Sequence, residues 1–209
     1  MLQLYFWPMA CSLASRIALM EAGIEARYTF VDIFSKKIGS GGDFRAVSAK
    51  GIVPTLVLEN GEVLTESSAV LQYIADLRPE SGLAPPAGHP DRYRLQEWLS
   101  FVGTEIHKGF LFPIFWYDSD AAKQAARERI GKTLGTAAAH LEARSWLVGE
   151  RFTVADGYLA WSLLLMKPCG VDVAQWPSLV AFLERVRARP RANEAIEIER
   201  AIRRTTPRP

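Results

Sequence analysis

A thiol and a hydroxyl stand side by side at Cys11-Ser12, after the apolar run Leu2 to Phe6 and ahead of Leu13, Ile17 and Met20 at helical spacing. A cysteine between a strand and a helix faces the helix's unpaired amides and the positive end of its dipole. Both favour a thiolate and so thiol exchange or nucleophilic chemistry, and a bound thiol ligand would gain the same stabilisation. Elsewhere in a chain a lone cysteine is more often a small buried hydrophobe; the junction position shifts the balance toward chemistry. Further on, Lys50-Gly51-Ile52-Val53-Pro54-Thr55 puts a proline directly before an apolar strand. Proline tolerates a cis peptide at only ~0.5–1 kcal/mol and gives no N–H to a sheet ladder, so Val53 can be left to pair its own N–H and C=O with an extended peptide. The stretch Leu64-Thr65-Glu66-Ser67-Ser68-Ala69 places a carboxylate and hydroxyls at the start of another helix. They can cap that helix. Equally, helix amides and Ser67 can hold a ligand carboxylate while Glu66 receives an ammonium.

The elements around these residues are short and mixed at first. Leu2 to Phe6 reads as a strand, followed by an amphipathic helix that stops at Gly23 and a second strand from Arg27 to Ile33. Thr55 to Leu58 and Val63 to Thr65 flank Glu59-Asn60-Gly61-Glu62, whose Asn-Gly supplies the positive φ of a tight hairpin. A helix from Ser67 to Leu77, with Val70, Leu71, Ile74 and Leu77 on one face, closes a β-α-β, β-β-α unit over residues 1–77. Residues 78–90, crowded with proline and glycine, read as a linker. From 91 to 209 the pattern is all-helical, with helices expected over 91–112, 121–144, 154–166 and 177–189. Thr153-Val-Ala-Asp156 has capping-box spacing ahead of a helix apolar nearly all round, which makes Asp156 a folding determinant rather than a catalyst. The fold class is α/β plus all-α.

Composition removes other classes. The chain has 209 residues, 49% of them hydrophobic, with 25 Lys and Arg against 23 Asp and Glu. That balance argues against a whole-protein nucleic-acid footprint. From Glu184 onward there are eight Arg (185, 187, 189, 191, 200, 203, 204 and 208) and four Glu, read as a solvated helix face and tail. Two cysteines without C-x-x-C or histidine spacing make a disulfide scaffold and a metal site unexpected. The apolar run from Tyr158 to Met166 is far short of a membrane span. With no basic region, apolar run and cleavage site at the start, the cytoplasm is the expected compartment.

Together the ordered stretches Ala10-Cys11-Ser12-Leu13-Ala14, Lys50-Gly51-Ile52-Val53-Pro54, Leu64-Thr65-Glu66-Ser67, Tyr93-Arg94-Leu95-Gln96-Glu97-Trp98-Leu99 and Thr104-Glu105-Ile106-His107-Lys108 resemble the glutathione S-transferase superfamily, most of all its bacterial beta class. The resemblance implies a thioredoxin-like N-terminal domain, an all-helical C-terminal domain and glutathione as co-substrate. It puts Cys11 and Ser12 beside the glutathione sulfur and Lys36 near the glycine carboxylate. Val53 and Pro54 would serve the cysteinyl backbone, and Glu66 and Ser67 the γ-glutamyl end. Thr104, Glu105, His107 and Lys108 match positions lining the cleft from the helical domain, some across a homodimer interface, with His107 as proton donor or acceptor. The implied activity is transfer of glutathione sulfur to an electrophile or disulfide reduction through Cys11. Alternatives are a glutathione-dependent isomerase, lyase or peroxidase, or a non-catalytic interaction protein, against which the intact Lys36, Val53, Glu66 and Ser67 argue. The chain departs from the pattern at Phe6, where the class has tyrosine, at Met9 for glycine, at Ile52 for glutamine and at Ser100 for asparagine. The aromatic run Phe110 to Tyr117 could line an apolar pocket or pack in a core or interface.

Overall fold

A computed structural model describes residues 1–206; Arg208 of the basic tail lies outside them. Leu2, Leu4 and Phe6 of β1 (Leu2–Phe6) are buried, and so is Tyr5 on the opposite side, as a central strand requires. β1 runs parallel to β2 (Ala26–Phe30) and antiparallel to β3 (Thr55–Val57), which pairs with β4 (Val63–Thr65), giving the order β2-β1-β3-β4. The register sets Leu4 beside Tyr28 on one side and Leu56 on the other. β2 ends at Phe30, short of the expected Ile33: from Val31 the chain leaves the ladder, keeping only a bridge from Val31 to Ile38.

α1 (Ser12–Glu21) starts at Cys11 and stops where Gly23 takes φ 66°, as its glycine stop requires. α2 (Ser67–Leu77) buries Val70, Leu71, Ile74 and Ala75 completely or nearly so. At ~1.5–3 kcal/mol for each large aliphatic side chain, that face is worth more than the helix's intrinsic propensity. On the other side of β1, Tyr5 stacks on Phe44 at 5.4 Å in a cluster with Trp7, Val31 and Val53. This places the core of the unit directly beneath the segment that carries Val53.

The chain forms two compact units. One is Met1–Ser81 with the segment that begins at Arg189, and the other is Gly82–Ala188. The division differs from the expected 1–77 and 91–209 because α8 (Pro190–Thr205) packs on α1. The face read as solvated holds Glu199 at 0% exposure beside Ala192, Ala195 and Ile196. The expected linker is also tied down, since Leu83 is buried and its carbonyl accepts from the Val154 N–H at 2.9 Å.

In the second unit the expected helix over 91–112 is three segments. α3 (Pro90–Phe101) passes into a π-helix (Val102–Leu111) and then into α4 (Phe112–Trp116). Ten residues of π-helix are unusual. A side chain on Gly109 would stand 2.9 Å from the Thr104 carbonyl oxygen, so glycine permits the turn where the two approach. α5 (Asp120–Leu141), α6 (Val154–Leu164) and α7 (Pro177–Arg187) complete the unit. The capping box at Thr153 and Asp156 is present as expected.

Candidate functional site

The thiol of Cys11 lies at the junction of β1 and α1, 6% exposed, and donates to the Val53 carbonyl at 3.0 Å. This bond belongs to the thiol form: ionisation would remove the proton and turn a sulfur anion toward a carbonyl oxygen. A ligand pairing with the Val53 backbone would therefore lie beside the Cys11 sulfur. Among the described residues the Val53 N–H has no acceptor, so one half of a strand-pairing edge is open. The Val53–Pro54 peptide is cis.

Ser12 is turned inward. It is fully buried and its hydroxyl donates to the Trp7 carbonyl at 3.3 Å, so its proton serves the protein rather than a sulfur. Phe6, where the class pattern has tyrosine, lies edge-on to Tyr28 and Phe30 beneath the Arg16 guanidinium at 4.6 Å. Tyr5 packs on the other side of the strand against Phe44, in keeping with strand alternation.

The approach to Val53 is flanked by cations. Lys36 donates to the Gly51 carbonyl at 2.9 Å, and burial, followed by the nearby Arg45 charge, lowers its pKa. On the other flank Glu66 stands at the start of α2 and accepts from Lys50 at 2.9 Å instead of capping the helix. Ser67 is 8% exposed, with neither its hydroxyl nor its N–H bonded among the described residues. The start of α2 thus carries the Ser67 hydroxyl and the Glu66 carboxylate side by side, the latter paired with Lys50.

Three non-glycine residues of this unit have φ in the left-handed region: Met9 at 65°, Lys36 at 61° and Glu66 at 70°. Each is one of the residues that the resemblance singled out, and such conformations persist where surrounding structure holds them. For Met9 the holder is visible. Its N–H donates to Glu199 Oε2 at 2.8 Å, while Oε1 accepts from Arg16 Nε at 2.9 Å. Arg16 is 4% exposed and lies 3.7 Å over the Tyr28 ring. Burial pushes the Glu199 carboxyl up to about 7 against the lowering effect of Arg16. Sequence reading missed this group. The one available signal was the spacing of Ala192, Ala195, Ile196 and Glu199, which sets a glutamate on an apolar stripe.

In the second unit the π-helix carries Thr104, Glu105, His107 and Lys108. Thr104 donates to the Ser100 carbonyl at 3.1 Å, Glu105 faces Arg129 at 3.6 Å, and Lys108 lies 4.5 Å over the Phe112 ring. His107 Nδ1 is 2.7 Å from the Tyr158 hydroxyl and its ring stands edge-on to Trp161 at 4.8 Å. Burial, then the Lys108 charge, lowers its pKa to about 3. Near neutral pH the ring is therefore uncharged. Asp156 is fully buried and accepts from the Leu147 and Thr153 N–H groups at 2.8 Å each; burial raises it to about 6. It organises the start of α6.

A cleft of about 540 Å³ on this unit is lined by Arg94, Trp98, His140 and Arg144 among others and contains none of the anticipated site residues. Its polar groups partner one another, Arg94 with Glu97 and His140 with the Leu147 carbonyl. No group of three or more metal-ligating side chains occurs among the described residues, and none of their helices is long and apolar enough to cross a membrane.

A four-stranded β-α-β-β-α sheet with a cysteine at its first strand-to-helix junction, followed by a helical unit, defines the thioredoxin-like class of two-part thiol proteins. Residues 8–77 match the glutathione S-transferase N-terminal domain and residues 102–190 the glutathione S-transferase C-terminal domain. The chain belongs to the glutathione S-transferase family. It is 37% identical to glutathione S-transferase GstA of Escherichia coli O157:H7 over 95% of this chain and 98% of that one. A sphingomonad glutathione S-transferase solved in complex with glutathione is 43% identical, with a TM-score of 0.90 over 94% of this chain and 98% of that one. The beta-class glutathione S-transferase of Sphingomonas chungbukensis is 41% identical, with a TM-score of 0.91 over the same shares.

Proposed function

We propose that the protein is a glutathione-dependent transferase in which glutathione lies extended along Val53, its sulfur beside Cys11. The observation that carries this reading is the 3.0 Å contact of Cys11 Sγ with the Val53 carbonyl. It supports the reading by joining the protein's thiol to the backbone group proposed to pair with the ligand's thiol residue. Glu66 and Ser67 take the γ-glutamyl end and Lys36 the glycine carboxylate, an assignment that rests on the resemblance and on the charges at each flank. The roles of Thr104, Glu105 and Lys108 as further ligand contacts, the homodimer and the cytoplasmic location rest on the resemblance alone.

Two reactions are open to this arrangement. In conjugation the glutathione thiolate attacks an electrophile and displaces its leaving group, and the protein's part is placement and charge. In disulfide reduction the Cys11 thiolate attacks a glutathione mixed disulfide, forming a Cys11–glutathione disulfide and releasing the other thiol as thiolate. A second glutathione thiolate then attacks the adduct, freeing Cys11 and leaving oxidised glutathione. With no second cysteine in a C-x-x-C pair, the second glutathione is required. Comparing the Cys11→Ala variant with the parent in both assays tests this. Loss of mixed-disulfide reduction of about a hundredfold or more, with conjugation changed far less, is expected. Full disulfide reduction in the variant would overturn the monothiol mechanism.

A further inference from the structure

Arg45 was not among the residues anticipated for the site, yet its stem lies with that of Lys36 at Gly51. A side chain on Gly51 would stand 3.6 Å from Arg45 Cγ and 3.7 Å from Lys36 Cδ. The fold is built to bring the two cations there. Lys36 is held at φ 61°, the Phe44 N–H donates to the Lys36 carbonyl at 2.8 Å, and Asp43 caps the short turn Phe44–Ala46 by accepting from the Arg45 N–H at 2.8 Å. The acids nearby are spent on local backbone and hydroxyl groups: Asp32 accepts from Ser35 Oγ at 2.6 Å and from the Phe34 N–H at 2.9 Å. Among the described residues the Arg45 guanidinium has no hydrogen-bond or ion-pair partner, and it is exposed. Burial, followed by the Arg45 charge, makes the protonated lysine harder to keep, against the raising effect of Asp32. Like charges whose stems meet at Gly51 are compensated when an anion binds between them.

The proposed pairing of glutathione with Val53 says which anion. On the glutathione reading, a peptide paired with Val53 through its thiol residue advances about 3.4 Å per residue, so its next residue comes level with Ile52 and the terminal carboxylate extends on toward Gly51, where the stems of Lys36 and Arg45 meet. On the same reading the other end of the peptide is taken by Glu66 and Ser67. We infer that Arg45 is a specificity-determining residue, the second cation of a Lys36–Arg45 pair that takes the free terminal carboxylate of the bound thiol peptide and rejects a peptide capped at that end. This rests on the glutathione reading above and adds a residue to it. Arg45 suits the task because its planar fork can hold both carboxylate oxygens while Lys36 stays anchored to Gly51.

The test is calorimetric titration of the parent, Arg45→Gln and Arg45→Lys with glutathione and with its glycine ethyl ester, which carries no carboxylate there. The parent binds glutathione more tightly than the ester. Arg45→Gln weakens glutathione by about five- to tenfold, leaves the ester within about twofold, and loses most of the parent's salt dependence, while Arg45→Lys restores most of the affinity. An unchanged glutathione affinity in Arg45→Gln, or an equal loss for both ligands, overturns the role of Arg45 and leaves glutathione binding intact. A parent that binds neither ligand overturns the underlying reading and this assignment with it.

Discussion

His107 should make the protein lose stability in acid, and the size of the loss follows from its surroundings. Its ring is held between the Tyr158 hydroxyl at 2.7 Å and the Trp161 ring at 4.8 Å, with the Lys108 charge next to it in the chain. Burial, then the Lys108 charge, opposes a cation here, and the folded-state pKa is about 3 where the ordinary value is 6.5. Between those values the unfolded chain binds a proton that the folded one does not, so stability rises with pH through this window and falls on acidification. At 1.36 kcal/mol per pH unit the full loss approaches ~5 kcal/mol, and ~2 kcal/mol of it is reached between about pH 7.5 and about pH 5. Two other groups work in the opposite sense. Burial raises Asp156 to about 6 and Glu199 to about 7, so each contributes stability that is present below its ordinary value and lost as pH rises through the folded one. The parent's own pH profile therefore mixes the three, and a variant is needed to isolate His107. His107→Gln is neutral at every pH and still offers Tyr158 a hydrogen-bonding partner. Urea unfolding near pH 7.5 should show it ~1–2 kcal/mol less stable, through lost ring packing and a poorer bond. Near pH 5 the gap should close or invert, because the parent has lost the His107 contribution and the variant had none to lose. A gap of the same size at both pH values would refute the reasoning.

Two further outcomes follow from buried groups away from Val53. Arg16→Met leaves the Glu199 carboxylate at 0% exposure without its guanidinium and should cost ~3–5 kcal/mol, whereas Arg16→Met with Glu199→Leu should regain much of it; a double variant no more stable than the single one in urea unfolding would contradict the pairing. Gly109→Ala sets a Cβ 2.9 Å from the Thr104 carbonyl oxygen and should lower stability by ~1–3 kcal/mol as the π-helix shifts; unfolding within ~0.5 kcal/mol of the parent would show that the turn tolerates a side chain.

What was legible in the sequence was what depends on neighbours along the chain. β1, β4 and α2 have the bounds that alternation, the Asn60-Gly61 turn and helical spacing gave them, because each carries its own start and stop. The π-helix does not announce itself, since apolar spacing over Val102–Leu111 fits an α-helix equally well and only Gly109 marks the closer approach. Arg16 and Glu199 lie 183 residues apart and each reads alone as an ordinary surface charge. The left-handed backbone at Met9, Lys36 and Glu66 was invisible for another reason: no glycine or asparagine stands at any of the three to signal it. At Met9 this explains a departure that sequence alone could only note. The related pattern has glycine there, which enters φ near 65° freely; this chain keeps the conformation with a methionine and holds it through a buried carboxylate on the Met9 N–H. The segment that aims Cys11 at Val53 is thus secured by α8, from the far end of the chain, and the buried Arg16–Glu199 pair is part of how the first unit presents its thiol.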